Sequence, residues 1–267
     1  MGEFTGKTAF ITGAAHGQGR AAALLLAKLG ADIAAFDVAR QIEYPAYEFG
    51  DAKELESLKE EVEALGQRAV IASGDVRDDR AVREAIDKTI SAFGKIDILF
   101  NNAGICAYAA LDSMTDDEWN AMIDINLKGP FNVTRRAVPH MIKAGRGVII
   151  NNSSVMGLRG GNRLSHYTAS KWGLTGLTKA WAIELAPHNI RVVSIHPTGV
   201  NTPMNDGLAA MEGSTPLEIA ERSAGNLLPV PWVETEDVAN LVVWLAGDKA
   251  RYVTGAQFVL DAGLLSR

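Results

Sequence analysis

Tyr167 and Lys171 stand four residues apart, a spacing that puts both side chains on one face of a helix. A phenol with an ordinary pKa of about 10 is a poor base at neutral pH. A neighbouring ammonium stabilises the phenolate and lowers that pKa. The pair therefore reads as an acid/base: the Tyr167 oxygen takes a proton from an alcohol and returns it to a carbonyl. The plainer reading is a surface pair with no chemistry. Thirteen positions before Tyr167 comes Ser154, next to Ser153, at the end of an apolar run. Side chains alternate on a strand, so only one of these two hydroxyls can face a given crevice.

A second constellation lies near the N-terminus. Gly13, Gly17 and Gly19, with Gln18 between them, link an apolar run to an Ala- and Leu-rich helix. Glycine permits the tight turn and close backbone approach that a pyrophosphate requires. The following helix start offers unpaired N–H groups and a positive dipole end. Asp37 closes the next apolar run, where a carboxylate accepts bonds from ribose hydroxyls and repels a 2′-phosphate. Val38 follows it, and the glycine loop holds no Arg or Lys, so NAD is expected rather than NADP. Arg20 and Arg40 are the two nearby cations that argue the other way. Asp75 and Val76 follow the third run; Asn102, Ala103 and Gly104 follow the fourth. In a parallel sheet these ends converge on one crevice. Asp75 reads either as an acceptor for the adenine amino group or as a cap for the turn before Arg77.

Seven short apolar runs (7–12, 31–37, 69–73, 97–101, 148–153, 191–196 and 257–260) alternate with helical patterns. The helices are expected at 20–29, 51–65, 80–93, 116–144, 166–186 and 235–246, the fourth bent near Gly129-Pro130. The runs are continuous rather than alternating, which suits strands covered on both faces. The expected fold is α/β: one Rossmann-type doubly wound parallel sheet with helices on both faces, over residues 1–267 as one domain. Two stretches break the rhythm. Residues 39–50 hold Tyr44, Tyr47, Phe49 and Pro45; residues 203–231 hold Met204, Met211 and four prolines. Long insertions at strand ends commonly carry function.

The 267 residues include 26 Lys plus Arg and 32 Asp plus Glu, a formal charge of −6. That argues against a nucleic-acid partner, which needs a basic face. A single cysteine, Cys106, excludes an intrachain disulfide and a multi-cysteine zinc site, and fits a cytoplasmic setting. The five histidines are scattered, so no metal is expected. The longest stretches without a charged residue, 98–111 and 192–205, fall short of the roughly 20 residues of a membrane helix, and no targeting segment is expected.

The motifs Thr12-Gly13-Ala-Ala-His-Gly17-Gln18-Gly19, Asn101-Asn102-Ala103-Gly104, Asn126, Ser154, Tyr167-Thr-Ala-Ser-Lys171 and His196-Pro197-Thr-Gly-Val200-Asn-Thr202 occur in this order. Together they resemble the successive signatures of the short-chain dehydrogenase/reductase family, over the whole chain. The resemblance implies that Ser154, favoured over Ser153 by the interval, binds the substrate oxygen. It implies that Asn126 holds a water linking Lys171 to solvent and that Lys171 also bonds the nicotinamide ribose. Thr202 and the Val200 backbone would hold the carboxamide, beside Pro197. Hydride transfer then belongs to the cofactor.

The 39–50 insertion, 15–20 and 196–204 resemble the branch that includes carveol dehydrogenases and other mycofactocin-associated enzymes. That implies an insertion over the adenine end, with NAD held tightly; the plainer reading is a surface loop. The substrate pocket is expected from Ile105, Cys106, Val155, Met156, Leu158 and a lid at 203–231 with Met204, unless the methionines are simple core fill. No Arg or Lys lies between 203 and 221, so a hydrophobic secondary alcohol or its ketone, such as a monoterpenoid, is expected. Small residues Ala169, Gly173 and Gly176, with Trp172 and Trp181, suggest a helix face for the homotetramer the family implies. Two readings compete: an NADPH-dependent 3-oxoacyl ketoreductase, and a dinucleotide-binding protein without turnover.

Overall fold

The structure is a computed structural model that describes residues 2–223 and 225–266. Seven strands form one sheet: β1 (Thr8–Thr12), β2 (Asp32–Asp37), β3 (Ala69–Ser73), β4 (Ile98–Asn101), β5 (Gly147–Asn152), β6 (Ile190–Pro197) and β7 (Gln257–Leu260). Their order is β3-β2-β1-β4-β5-β6-β7, and every neighbouring pair is parallel. The order reverses between β1 and β4, where the glycine loop and the 101–104 turn face each other.

The continuous apolar runs follow from burial on both faces. Ala9, Ile11, Ile33 and Ile150 pack on one side with α1 (Gly17–Lys28), α2 (Ala52–Ala64) and α9 (Thr235–Ala246). Phe10, Phe36, Leu99 and Ile149 pack on the other with α3 (Asp79–Phe93), α4 (Asp116–Ile123), α5 (Gly129–Ala144) and α6 (Ser165–Leu185). Caps fix several helix starts. Asp51 and Glu54 form a reciprocal box at α2, Thr115 and Glu118 another at α4, and Asp78 accepts two amides at α3. Such caps contribute about 1 kcal/mol each.

The expected long helix at 116–144 is three pieces. A π turn at Asp124–Lys128 separates α4 from α5. Pro130 has no N–H to give the Asn126 carbonyl, so the i→i−4 ladder cannot pass this point. Segment 203–231 also carries two helices, α7 (Pro203–Met211) and α8 (Pro216–Ser223). Pro203 and Pro216 open these helices, where the missing N–H is no loss. Ala224 of this segment lies outside the described residues. Among the described residues no helix is long and apolar enough to cross a membrane.

Candidate active site

The strand ends are joined by side chains. The Thr12 hydroxyl accepts the Asn102 and Ala103 amides at 3.0 Å each. Asn102 Nδ2 donates to the Thr12 and Gly13 carbonyls at 3.0 and 2.9 Å. Asn152 Nδ2 donates to Asn102 Oδ1 and to Gln18 Oε1, both at 2.9 Å. Three strands and the glycine loop are thereby locked in one register. Gly13 and Gly17 take φ of +64° and +56°, which only glycine adopts cheaply. A Cβ on Gly19 would run into the Gly13 carbonyl.

The residues fit a dinucleotide. His16 precedes α1 without a side-chain cap, so the first-turn N–H groups face the loop as an anion cradle. Asp37 is buried and accepts the Ala15 and Ala39 amides at 2.9 Å each, with lone pairs left for hydroxyl groups. Arg20 is turned toward α2: it bonds the Glu54 carbonyl at 2.8 Å and Glu61 at 2.7 Å. It is therefore not presented to a 2′-phosphate. Arg40 lies near enough to help lower the Asp75 pKa. Burial alone would raise that carboxyl, but the Arg77 guanidinium and amide outweigh it and hold it below the usual range. Arg77 Nη2 sits 2.7 Å from Asp75, and the turn-capping reading of Asp75 is seen in its bond from the Arg77 amide at 2.9 Å.

One cleft of about 670 Å³ runs past these residues. Gly13, Gly17, Gln18, Asp37, Val38, Asp75 and Val76 line one end; Asn102, Ala103, Gly104, Pro197, Val200 and Thr202 line its middle. Ser154, Met156, Tyr167, Lys171 and Met204 line the other end. Lys171 is 5% exposed. Its Nζ donates to the Asn152 carbonyl at 2.8 Å and lies 5.6 Å from the centre of the Tyr167 ring. Burial pushes this ammonium down to about 8, so it carries its charge at neutral pH. Burial pushes the Tyr167 phenol up beyond its usual range; neighbouring Cys106 adds to this, while a hydrogen bond with Ser154 pulls it back.

The two serines both line the cleft but differ in their partners. The Ser153 hydroxyl is spent on the Lys171 carbonyl at 3.1 Å and on Thr175. The Ser154 hydroxyl accepts the Met156 amide at 3.1 Å and is the one associated with Tyr167. Asn126 is 1% exposed and does not line the cleft. It exchanges two 2.8 Å bonds with the Ile105 backbone, fixing the turn after β4.

Three features escaped the sequence. His196, one of the scattered histidines, lies under the serine: Nδ1 is 2.8 Å from the Ser154 carbonyl and Nε2 2.8 Å from the Ser194 hydroxyl. Burial pushes its pKa down to about 4, so the ring is neutral. Its signal was the Ser-x-His pair on a strand, two residues apart and therefore on one face. Second, Arg159 and Arg163 line the cleft from across, so the absence of cations in 203–221 does not make the whole rim uncharged. Arg163 Nη2 meets Glu212 at 2.5 Å beneath the segment's first helix. Third, the 39–50 segment is not confined to the adenine end. Gly50 packs on Ala15 and His16, but the Tyr44 hydroxyl reaches His166 Nε2 at 3.1 Å and the Tyr47 hydroxyl reaches the Cys106 amide at 3.3 Å.

Other expectations need correction. Leu158 does not line the cleft, whereas Tyr108, Leu164 and Leu208 do. Gly173 accommodates Leu127 of the same chain, and Trp181 is core rather than surface. Among the described residues no cluster of His, Cys, Asp or Glu could hold a metal.

Comparison with known proteins agrees with this geometry. A family model for short chain dehydrogenase matches residues 7–213. The chain is 43% identical to (-)-trans-carveol dehydrogenase of Rhodococcus erythropolis, covering 98% of this chain and 99% of that protein. It is 39% identical to a 3-oxoacyl-acyl-carrier-protein reductase of Thermotoga maritima, over 97% and 98% of the two. The solved structure of carveol dehydrogenase from Mycobacterium avium in complex with NAD superimposes with a TM-score of 0.95 at 40% identity, covering both chains fully. By sheet order, strand-end motifs and full-length similarity, the chain belongs to the short chain dehydrogenase family.

Proposed function

We propose that this protein is an NAD-dependent dehydrogenase that interconverts a hydrophobic secondary alcohol and its ketone, with Tyr167 as acid/base. The observation that carries this is the position of Lys171: buried, 2.8 Å from the Asn152 carbonyl and against the Tyr167 ring, in the cleft of the glycine loop. Asp37 and the diverted Arg20 favour NAD, as do NAD-bound relatives. The adenosine end would sit by Asp37, Val38, Asp75 and Val76, the diphosphate over Gly13–Gly19, and the nicotinamide end by Gly104, Lys171, Pro197, Val200 and Thr202. When bound, NAD accepts the hydride from the carbinol carbon.

The chain's own residues handle the proton. Ser154 orients the alcohol oxygen toward Tyr167. The phenolate takes the hydroxyl proton as the carbonyl forms, and the Lys171 ammonium offsets the negative charge that burial opposes. His196 and Ser194 hold the Ser154 backbone from below. Asn126 contributes by holding Ile105. Cys106, Leu164 and Leu208 form a small apolar cluster with Tyr108, Met156, Tyr167 and Met204, fitting an apolar substrate such as the carveol of its Rhodococcus relative. Residues 39–50 and 203–231 are read as a strap and a lid on the one domain, set at the cytoplasm. Trp119, Phe131, Trp172 and Ile183, exposed on α4, α5 and α6, support a homotetramer. A 3-oxoacyl reductase is the second reading, favoured by the Thermotoga relative and by Arg159 and Arg163 at the rim; Asp37 disfavours its NADPH.

The test is carveol oxidation with NAD, followed by NADH absorbance. Tyr167→Phe is expected to cut turnover about 10³-fold, within the range for a general acid/base, while NAD still binds. Undiminished turnover would refute the reading.

A further inference from the structure

Residues 39–50 leave the sheet at the adenine end but are fastened to the opposite end of the cleft. The Tyr47 ring lies on the backbone of Gly207, in the middle of α7: a Cβ built at Gly207 would come within 2.5 Å of the Tyr47 Cβ and Cγ atoms. Gly207 sits in an ordinary helical position, without a positive φ. Glycine is a poorer helix-interior residue than alanine, and the Tyr47 ring occupies the space a Cβ would need. The Tyr47 hydroxyl accepts the Cys106 amide at 3.3 Å. Its ring stacks on Phe49 with centroids 5.0 Å apart. A second tyrosine, Tyr44, bonds His166 at the first turn of α6. One side chain, Tyr47, thus touches both the helix that carries Met204 and Leu208 and the turn that carries Cys106. Both elements contribute side chains to the apolar cluster beside Tyr167.

We propose that Tyr47 is a positioning residue for substrate: it clasps α7 to the Cys106 turn, so that the insertion at the adenine end sets the closure of the alcohol pocket. Tyr47 does not line the cleft itself; it acts from behind, through Gly207 and Cys106. The same contact makes Cys106 a built-in reporter. It is the single cysteine of the chain, 7% exposed and set in the cleft wall, so its rate of modification reports how closely α7 is held to the turn that carries it.

The experiment uses the full-length holoenzyme with two readouts. The first is the rate at which a disulfide reagent (5,5′-dithiobis-2-nitrobenzoate) modifies Cys106, which is independent of turnover. The second is KM against kcat for carveol oxidation, which rests on the dehydrogenase reading. Tyr47→Ala and Gly207→Ala are each expected to speed modification at least tenfold and to raise KM about tenfold with kcat within twofold. Tyr47→Phe keeps the ring on Gly207 but loses the bond to the Cys106 amide, and is expected to raise both by less than Tyr47→Ala does. The decisive variant is the double one. With the ring gone, the methyl of Gly207→Ala has nothing to displace, so Tyr47→Ala/Gly207→Ala is expected to match Tyr47→Ala alone. Multiplied single effects, or Cys106 reacting at the wild-type rate in Tyr47→Ala, would overturn the clasp. No turnover of carveol by wild type, with Cys106 protected as expected, would leave the clasp standing and refute the substrate instead.

Discussion

The two ends of the cleft are built by different means. Where the strands end, side chains of Thr12, Asn102 and Asn152 bond across three strands, and Lys171 is tied to the end of β5. Most of these bonds begin or end on a strand of the sheet. At the alcohol end, the walls are insertions: a ring resting on Gly207, one amide-to-hydroxyl bond at Cys106 and one ion pair at the rim. Rigid elements fix the geometry of chemistry, and insertions leave substrate preference free to vary. Substitutions at the first end should therefore cost rate or stability, and those at the second should cost recognition.

The largest expected effect is at Lys171. Lys171→Met removes the charge that supports the phenolate, and carveol oxidation should fall about 10³-fold; a loss under tenfold would put the proton elsewhere. Next comes His196, whose sign can be worked out. Folded His196 stays neutral to about pH 4, whereas an unfolded histidine titrates near 6.5. Between these values the unfolded state binds the extra proton, so stability is present above pH 6.5 and falls toward pH 4, by at most about 3 kcal/mol. Urea midpoints at pH 4.5 and 7 measure it, and His196→Asn should flatten the difference. Asn102→Ala leaves the Thr12 and Gly13 carbonyls and Asn152 short of partners, an expected loss of about 2 kcal/mol, read as an earlier thermal midpoint. The smallest effect belongs to the rim. Arg163→Ala removes an exposed ion pair of at most about 1 kcal/mol and should move KM less than fivefold, with kcat and melting unchanged. A rate loss at Arg163, or a pure KM effect at Lys171, would erase the contrast between the ends.

The contrast also explains what the sequence disclosed. Strands buried on both faces must be continuous apolar runs, so the sheet was legible in 7–12, 31–37 and 148–153. The Tyr167–Lys171 pair was legible because four residues on a helix fix a shared face. What the sequence could not show is that Arg20, the cation competing with the Asp37 reading, is claimed by Glu61. Insertions carry no such period. Nothing in the four prolines of 203–231 shows that two of them begin helices. Tyr44 and Tyr47 read as neighbours of the adenine end, because sequence adjacency says nothing about how far a twelve-residue segment reaches. His196 was passed over because one partner, Ser154, lies just past the end of β5, and only the pairing of β5 with β6 brings the ring under that serine.

The account rests on an ammonium that makes a buried phenol a workable base. The most direct measurement is the pH dependence of kcat/KM for carveol oxidation in wild type and in Lys171→Gln. The rate should rise with pH until the phenol is ionised. Without the ammonium that rise should move to higher pH by a unit or more. A rise at the same pH in both enzymes would contradict the account, because the acidity of the proton acceptor would then owe nothing to Lys171.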